Sequence, residues 1–171
     1  MSRPFTSGFR RLRSAVLLGA CVAAASGCGY RFVGRDSGLP EGTGGVCAPV
    51  FLNETAEPVL ETLFTRHLRQ ELTRVGRLDA GSNCATRIEG AVLWVWSSPT
   101  IAGNYFRVQV TARLRLVKDG QQVNETVVTG TEDYLQGTGD ILEAEANRQA
   151  ALDRLAEVLM HDGFDRLASA W

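Results

Sequence analysis

The chain has 171 residues, 44 % of them apolar and 22 % charged, with a formal net charge of −1. These are the values of an ordinary folded domain with material for one core. The charge is uneven: Arg3, Arg10, Arg11 and Arg13 precede the only long apolar run, with no acid among them. Losing that segment leaves about −5 by formal count, which argues against a nucleic-acid partner, since that wants a basic face on a basic domain.

A basic start, an apolar stretch from Ser14 to Ala25 and the small residues Ala25-Ser26-Gly27 make a secretory signal peptide. The stretch is shorter than the ~20 apolar residues of a spanning helix, and no later segment is longer. Cys28 follows directly, as in a bacterial lipobox. Cleavage there removes residues 1–27 and makes Cys28 an acylated N-terminus, and two or more acyl chains anchor a protein stably where one does not. Leu18-Gly19-Ala20-Cys21 has the same form. Cleavage at Cys21 would leave Ser14 to Leu18 as the apolar core, below the roughly 7–15 residues such a region needs. Cys28 is therefore the expected site. The Arg10-Arg11 pair also occurs in twin-arginine signals, but basic segments carry such pairs by chance, and general secretory export is expected.

Residues 28–45 are Gly-rich and polar, with Leu39-Pro40 in the middle, and read as a lipidated tether. Residues 46–171 read as a single domain. Val46 to Leu52 is a short apolar strand, ended by Asn53-Glu54-Thr55. Thr55 is the expected N-cap of a helix with Pro58 in its first turn. Leu60, Leu63, Phe64, Leu68, Leu72 and Val75 form one apolar stripe, and Gly76 suits the C-terminal end. Ile88 to Ser97 is strand-like, with Trp94 and Trp96 on one side of it. Tyr105 to Lys118 alternates strictly, Phe106, Val108, Val110, Ala112, Leu114 and Leu116 facing one way. Asp119-Gly120 is a hairpin turn, and Val123 to Glu132 the returning strand. Asp140 caps a second helix with Ile141, Leu142, Ala146, Leu152, Leu155, Leu159 and Met160 on its stripe, and Gly163 is a candidate break. The order is β-α-β-β-β-α. It predicts an α+β domain with two amphipathic helices packed on one face of a four-stranded mixed sheet.

No set of residues suggests catalysis. His67 lies on the first helix's stripe and His161 near the end of the second, and neither has a nucleophile beside it in a recognisable motif. No metal or cofactor motif is present, since Cys-x-x-Cys pairs and a phosphate loop are both lacking. Cys47 and Cys84 read either as a disulfide, which an oxidising compartment permits, or as two buried thiols. Arg107, Arg113 and Arg115 share a face with Tyr105, Gln109 and Thr111. That face reads either as solvated sheet or as a surface for a partner, since arginine forks suit carboxylates and phosphates. Trp94 and Trp96 read either as core or as an apolar contact near a loop tip.

With these elements placed, the sequence resembles the LptE family of lipopolysaccharide-assembly lipoproteins. The resemblance rests on Cys28-Gly29-Tyr30 with Arg31-Phe32 and Leu39-Pro40, on the strand-to-helix stretch Pro49 to Glu61, on Arg69 to Leu78 at the helix end, and on the element order. Cys47 and Cys84 depart from the family pattern. The resemblance implies a non-enzymatic protein without cofactor, on the periplasmic side of the outer membrane of a Gram-negative bacterium. It would fill the lumen of an LptD-type β-barrel and assist lipopolysaccharide delivery to the outer leaflet. Gly29, not aspartate, after the acylated cysteine fits sorting to the outer membrane. The family touches lipopolysaccharide through loop cations, and the loop Ser97 to Asn104 has none, which leaves direct lipid binding there unsupported. The alternative is a lipid-anchored periplasmic module that binds a lipid or small ligand.

Overall fold

The alternation of Tyr105 to Lys118 shapes the molecule. In the computed structural model, which describes residues 39, 43–81, 84–101, 103–137 and 139–169, Val108, Val110, Ala112, Leu114 and Leu116 are fully buried. The residues between them line the opposite, open face. The signal segment, Cys21 and Cys28 lie outside the described residues. The elements are β1 (Val46–Cys47), β2 (Leu52–Asn53), α1 (Leu60–Arg74), β3 (Thr86–Pro99), β4 (Tyr105–Lys118), β5 (Gln121–Leu135) and α2 (Ile141–Ala168). Strands β3, β4 and β5 form an antiparallel meander, and β1 and β2 both pair in parallel with β3.

Among the described residues the sheet is therefore mixed and five-stranded, in the order β-β-α-β-β-β-α, and not four-stranded in the order β-α-β-β-β-α. The expected first strand, Val46 to Leu52, is split. Pro49 has no N–H to give to a ladder. The N–H of Phe51 turns to Thr65 Oγ1 (3.0 Å), and the carbonyl of Ala48 accepts from Arg69 Nε (2.9 Å). The helix thus satisfies the backbone that the sheet loses. The Phe51 ring lies over Gly90, where a Cβ would come within 2.1 Å of it, and packs near Phe64 with centroids 6.2 Å apart.

Helix α1 buries Leu60, Phe64, Leu68 and Leu72, with Leu63 and Val75 packed at the margin. Its start differs from expectation. The N-cap is Val59 at φ 75°, without a side-chain cap, and Pro58 lies before the first turn. Thr55 instead binds back to Asn53 Oδ1 through its N–H and hydroxyl, and Asn53 Nδ2 donates to the Glu57 carbonyl (2.7 Å) and to Glu61 (2.9 Å). This side-chain turn delays the helix by four residues. Gly76, at φ 68°, closes the other end as expected.

Helix α2 is capped by Asp140, whose carboxylate accepts from Leu142 N (2.9 Å). Ile141 and Leu142 are exposed and not on the buried stripe. Gly163 does not break the helix. A Cβ there would lie 2.7 Å from Leu114 Cδ1, so glycine lets α2 seat on the sheet. Neither helix of the described residues is long and apolar enough to cross a membrane.

Two further bonds lock the body. Arg148 on α2 grips Glu57 with two bonds of 2.7 Å, and both side chains are largely shielded, at 18 % and 20 % exposure. The Arg148 bond holds the Glu57 carboxyl below its ordinary pKa against the opposing pull of burial. Cys47 and Cys84, 6.0 Å apart at Cα, are joined as a disulfide.

Two outcomes follow. Glu57→Gln is expected to cost about 1–3 kcal/mol by leaving a shielded guanidinium with only the more distant Glu145, at 3.8 Å, as counter-charge. A carboxyl whose folded pKa is depressed stabilises fully above its unfolded value, about 4.3, and loses that contribution as pH falls through the folded value. Urea titrations across pH should therefore show a shallower acid limb in the variant. Removing the disulfide by Cys47→Ala and Cys84→Ala should cost roughly 2–4 kcal/mol, because it frees a loop that now constrains the unfolded chain, and reductant should reproduce that loss in the parent.

Candidate functional site

The open face is built by two β-bulges. Between Thr86 and Val92 the even residues of β3 point inward, and Ile88 and Val92 are fully buried. The register then slips: Val92 pairs with Ala112, but Trp94 pairs with Thr111, so Leu93 is an extra residue. A side-chain period of two turns that single insertion into a change of face. Trp94 and Trp96 therefore emerge on the open side, 44 % and 59 % exposed, and Val95 packs inward. The reading of the two tryptophans as core residues therefore does not hold.

The second bulge is Val123, between the pairs Val117–Gln122 and Leu116–Asn124. Counting back from the Asp119-Gly120 turn alone would set Arg107 opposite Glu132 and Arg115 opposite Asn124. The extra residue moves each along by one, so Arg107 faces Asp133 and Arg115 faces Glu125. Arg107 grips Asp133 with two bonds (2.7 and 2.8 Å), Arg115 binds Glu125 (2.5 Å), and Arg113 reaches Glu54 beyond β2 (3.4 Å). Arg107 lowers the Asp133 pKa, mainly through its hydrogen bond, and Asp133 raises that of Arg107 in the same way.

The three arginines singled out from the sequence thus share the face, but each is already matched to a carboxylate of its own chain. Tyr105 lies at the loop end of the same face, half-exposed. On the strands of this face three further exposed apolar residues were not singled out: Leu52, Val127 and Leu135. Val127 and Leu135 are legible once the second bulge is known, since both pair with odd residues of β4. The result is a sheet surface of tryptophan, threonine and closed ion pairs, with Thr111 and Thr129 hydroxyls in contact at 2.9 Å. Its chemistry is apolar area, hydroxyls and self-neutralised charge.

The histidines lie elsewhere, in the seam between the helices. His67 is buried and bonded to Asp153 (2.8 Å), and His161 is exposed and faces Glu71 (3.2 Å). Asp153 and Glu71 each also take an arginine of α1, Arg66 and Arg74 respectively.

Exposure on the open face predicts a contrast in stability. Replacing Trp94 and Trp96 together by Ser should cost less than about 1 kcal/mol, whereas Leu114→Ala on the buried face should cost about 2–5 kcal/mol. Thermal unfolding of the two variants checks this.

Comparison with solved structures finds the same fold in proteins of low identity. A candidate lipoprotein from Caulobacter crescentus aligns at 18 % identity and TM-score 0.54, over 70 % of this chain and 89 % of that one. PelC from Paraburkholderia phytofirmans, a dodecamer, aligns at 18 % identity and TM-score 0.52, over 77 % and 91 %. A Xanthomonas campestris protein aligns at 10 % identity and TM-score 0.51, over 77 % and 88 %. Comparison with curated protein sequences finds no significant match. The model of the lipopolysaccharide-assembly family LptE matches residues 44–167, which spans both helices and the whole sheet. The chain belongs to the LptE family of lipopolysaccharide-assembly lipoproteins.

Proposed function

We propose that the chain is an outer-membrane lipoprotein that occupies the lumen of an LptD-type β-barrel from the periplasmic side, helps that barrel assemble, and assists lipopolysaccharide delivery to the outer leaflet. Residues 1–27 would be removed as a signal peptide, Cys28 acylated, and residues 28–45 would tether residues 46–171. The protein would act without catalysis or cofactor. The single observation that carries this reading is the open face, which a family member of this size leaves uncovered with two tryptophans outward. Barrel lumens are polar, and a face of hydroxyls and closed ion pairs can enter one without stranding a charge. The aromatic pair supplies the apolar anchor that stable interfaces concentrate at their centre. Arg107, Arg113 and Arg115 would frame that anchor and help fix orientation. Contact with lipopolysaccharide phosphates would require them to give up Asp133, Glu54 and Glu125.

Purification of the tagged, acylated chain from detergent-solubilised outer membranes tests this. The wild-type chain should bring down an LptD-type barrel in stoichiometric amount. Changing Trp94 and Trp96 to Ser should lower the recovered barrel at least about tenfold, a loss of roughly 1.4 kcal/mol or more. A barrel retained at wild-type level by the double variant would remove the tryptophans from the interface. A wild-type chain recovered without barrel but with a bound lipid would replace this reading by the anchored binding module.

A further inference from the structure

β5 is the last strand of the sheet, and among the described residues no strand lies beyond it. The carbonyl of Tyr105 accepts from Thr100 N, so odd residues of β4 bond toward β3 and even ones toward β5. From Asn124 onward, even residues of β5 pair with even residues of β4. The odd residues from Glu125 to Leu135 therefore aim their backbone groups outward. Side chains close the two ends of this edge. Glu125 N donates to Asn124 Oδ1 (2.8 Å), Arg166 Nη1 to the Val127 carbonyl (3.4 Å), and Asn147 Nδ2 to the Leu135 carbonyl (3.2 Å). Between them Thr129, Thr131 and Asp133 have no outward backbone partner among the described residues. Edge strands are normally guarded by charged side chains, above all lysine, by proline or by a bulge. β5 contains no lysine or proline, its acids Glu132 and Asp133 are held by Arg154 and Arg107, and its bulge at Val123 lies outside this window.

One flank of α2 stands above the same edge. Arg154 donates to Glu132 (2.8 Å), and Arg166 reaches Val127. Val158, exposed, lies between them on the helix. Its neighbours Leu155 and Leu159 sit over Gly130, which places Val158 level with that glycine. Arg166 reaches no carboxylate among the described residues.

We propose that this edge is a self-association surface, on which a second copy of the chain adds its own β5 antiparallel about a two-fold axis through Gly130. In that register Thr129 meets Thr131 of the second copy, and Val127 meets its Asp133, each with outward-facing backbone groups. The two Val158 side chains meet on the helix side. On the helix side each Arg166 comes nearest Glu132 of the other copy, which Arg154 already holds, while Asp133 points to the open face and Arg107. Backbone and apolar contact are thus complementary to themselves, as a closed two-fold interface requires. A foreign strand would satisfy the backbone alone. The proposal does not rest on the barrel reading. Under that reading the dimer is the form before insertion, because it covers an edge that would otherwise invite aggregation.

The acylated full chain in mild detergent, followed by sedimentation across a concentration series, should show a reversible dimer. Thr131→Pro removes an outward N–H without breaking a ladder bond and should weaken the dimer at least about tenfold. In a separate variant, Val158→Cys should form a cross-linked dimer on mild oxidation, and Glu157→Cys, one residue round the helix, should not. A monomer at every concentration, an undiminished dimer in Thr131→Pro, or equal cross-linking at both cysteine positions would overturn the proposal. Should Thr131→Pro fail to fold, the cysteine pair decides alone.

Discussion

Two glycines let α2 lie directly on the sheet, and the one-sided architecture depends on that close seat. A Cβ at Gly163 would stand 2.7 Å from Leu114, and one at Gly130 would stand 2.8 Å from Leu155. With α2 this low, the inner faces of β4 and β5 are sealed by Leu152, Leu155, Leu159, Met160 and Phe164, all buried. A side chain at either glycine would lift the helix and open the core along its length. Because one layer of helices suffices to close the core, the other face of the sheet is left uncovered among the described residues.

Much of this was legible from residue order. The alternation of β4, the Asp119-Gly120 turn and the apolar stripe of α1 each reflect one backbone period, and each appears where expected. Single-residue irregularities were not legible. Leu93 and Val123 look like ordinary strand residues, yet each shifts a register by one, the first sending the tryptophans outward and the second choosing the carboxylates for Arg107 and Arg115. The split of the first strand is of the same kind. Pro49 is visible in sequence, but the compensating Thr65 and Arg69 come from a helix whose placement only the fold supplies. The exposed Ile141 and Leu142 mislead in the other direction, because they continue a helical stripe past the point where the sheet ends.

The electrostatics favour shape over field. On the open face the cations and acids cancel in pairs at short range, so the surface projects little net potential beyond a Debye length. What such a surface offers is shape and aromatic area, not a long-range field. Arg148 and Glu57 use the same pairing for a different end. Shielded between α2 and the turn before α1, they tie together segments that are distant in sequence. Their contribution is to the rigidity of the platform behind the face.

The bridge between Cys47 and Cys84 closes a covalent ring around α1. Mechanical load arriving along the chain from its N-terminal side first meets Thr43, whose carbonyl Arg77 holds, and then β1, a ladder of two residues. The bridge carries that load past the ladder, straight into the long central strand β3 beside Thr86. The body would then bear tension as a single unit and would not unravel from its first residues. Such a fastening suits a protein held from that end.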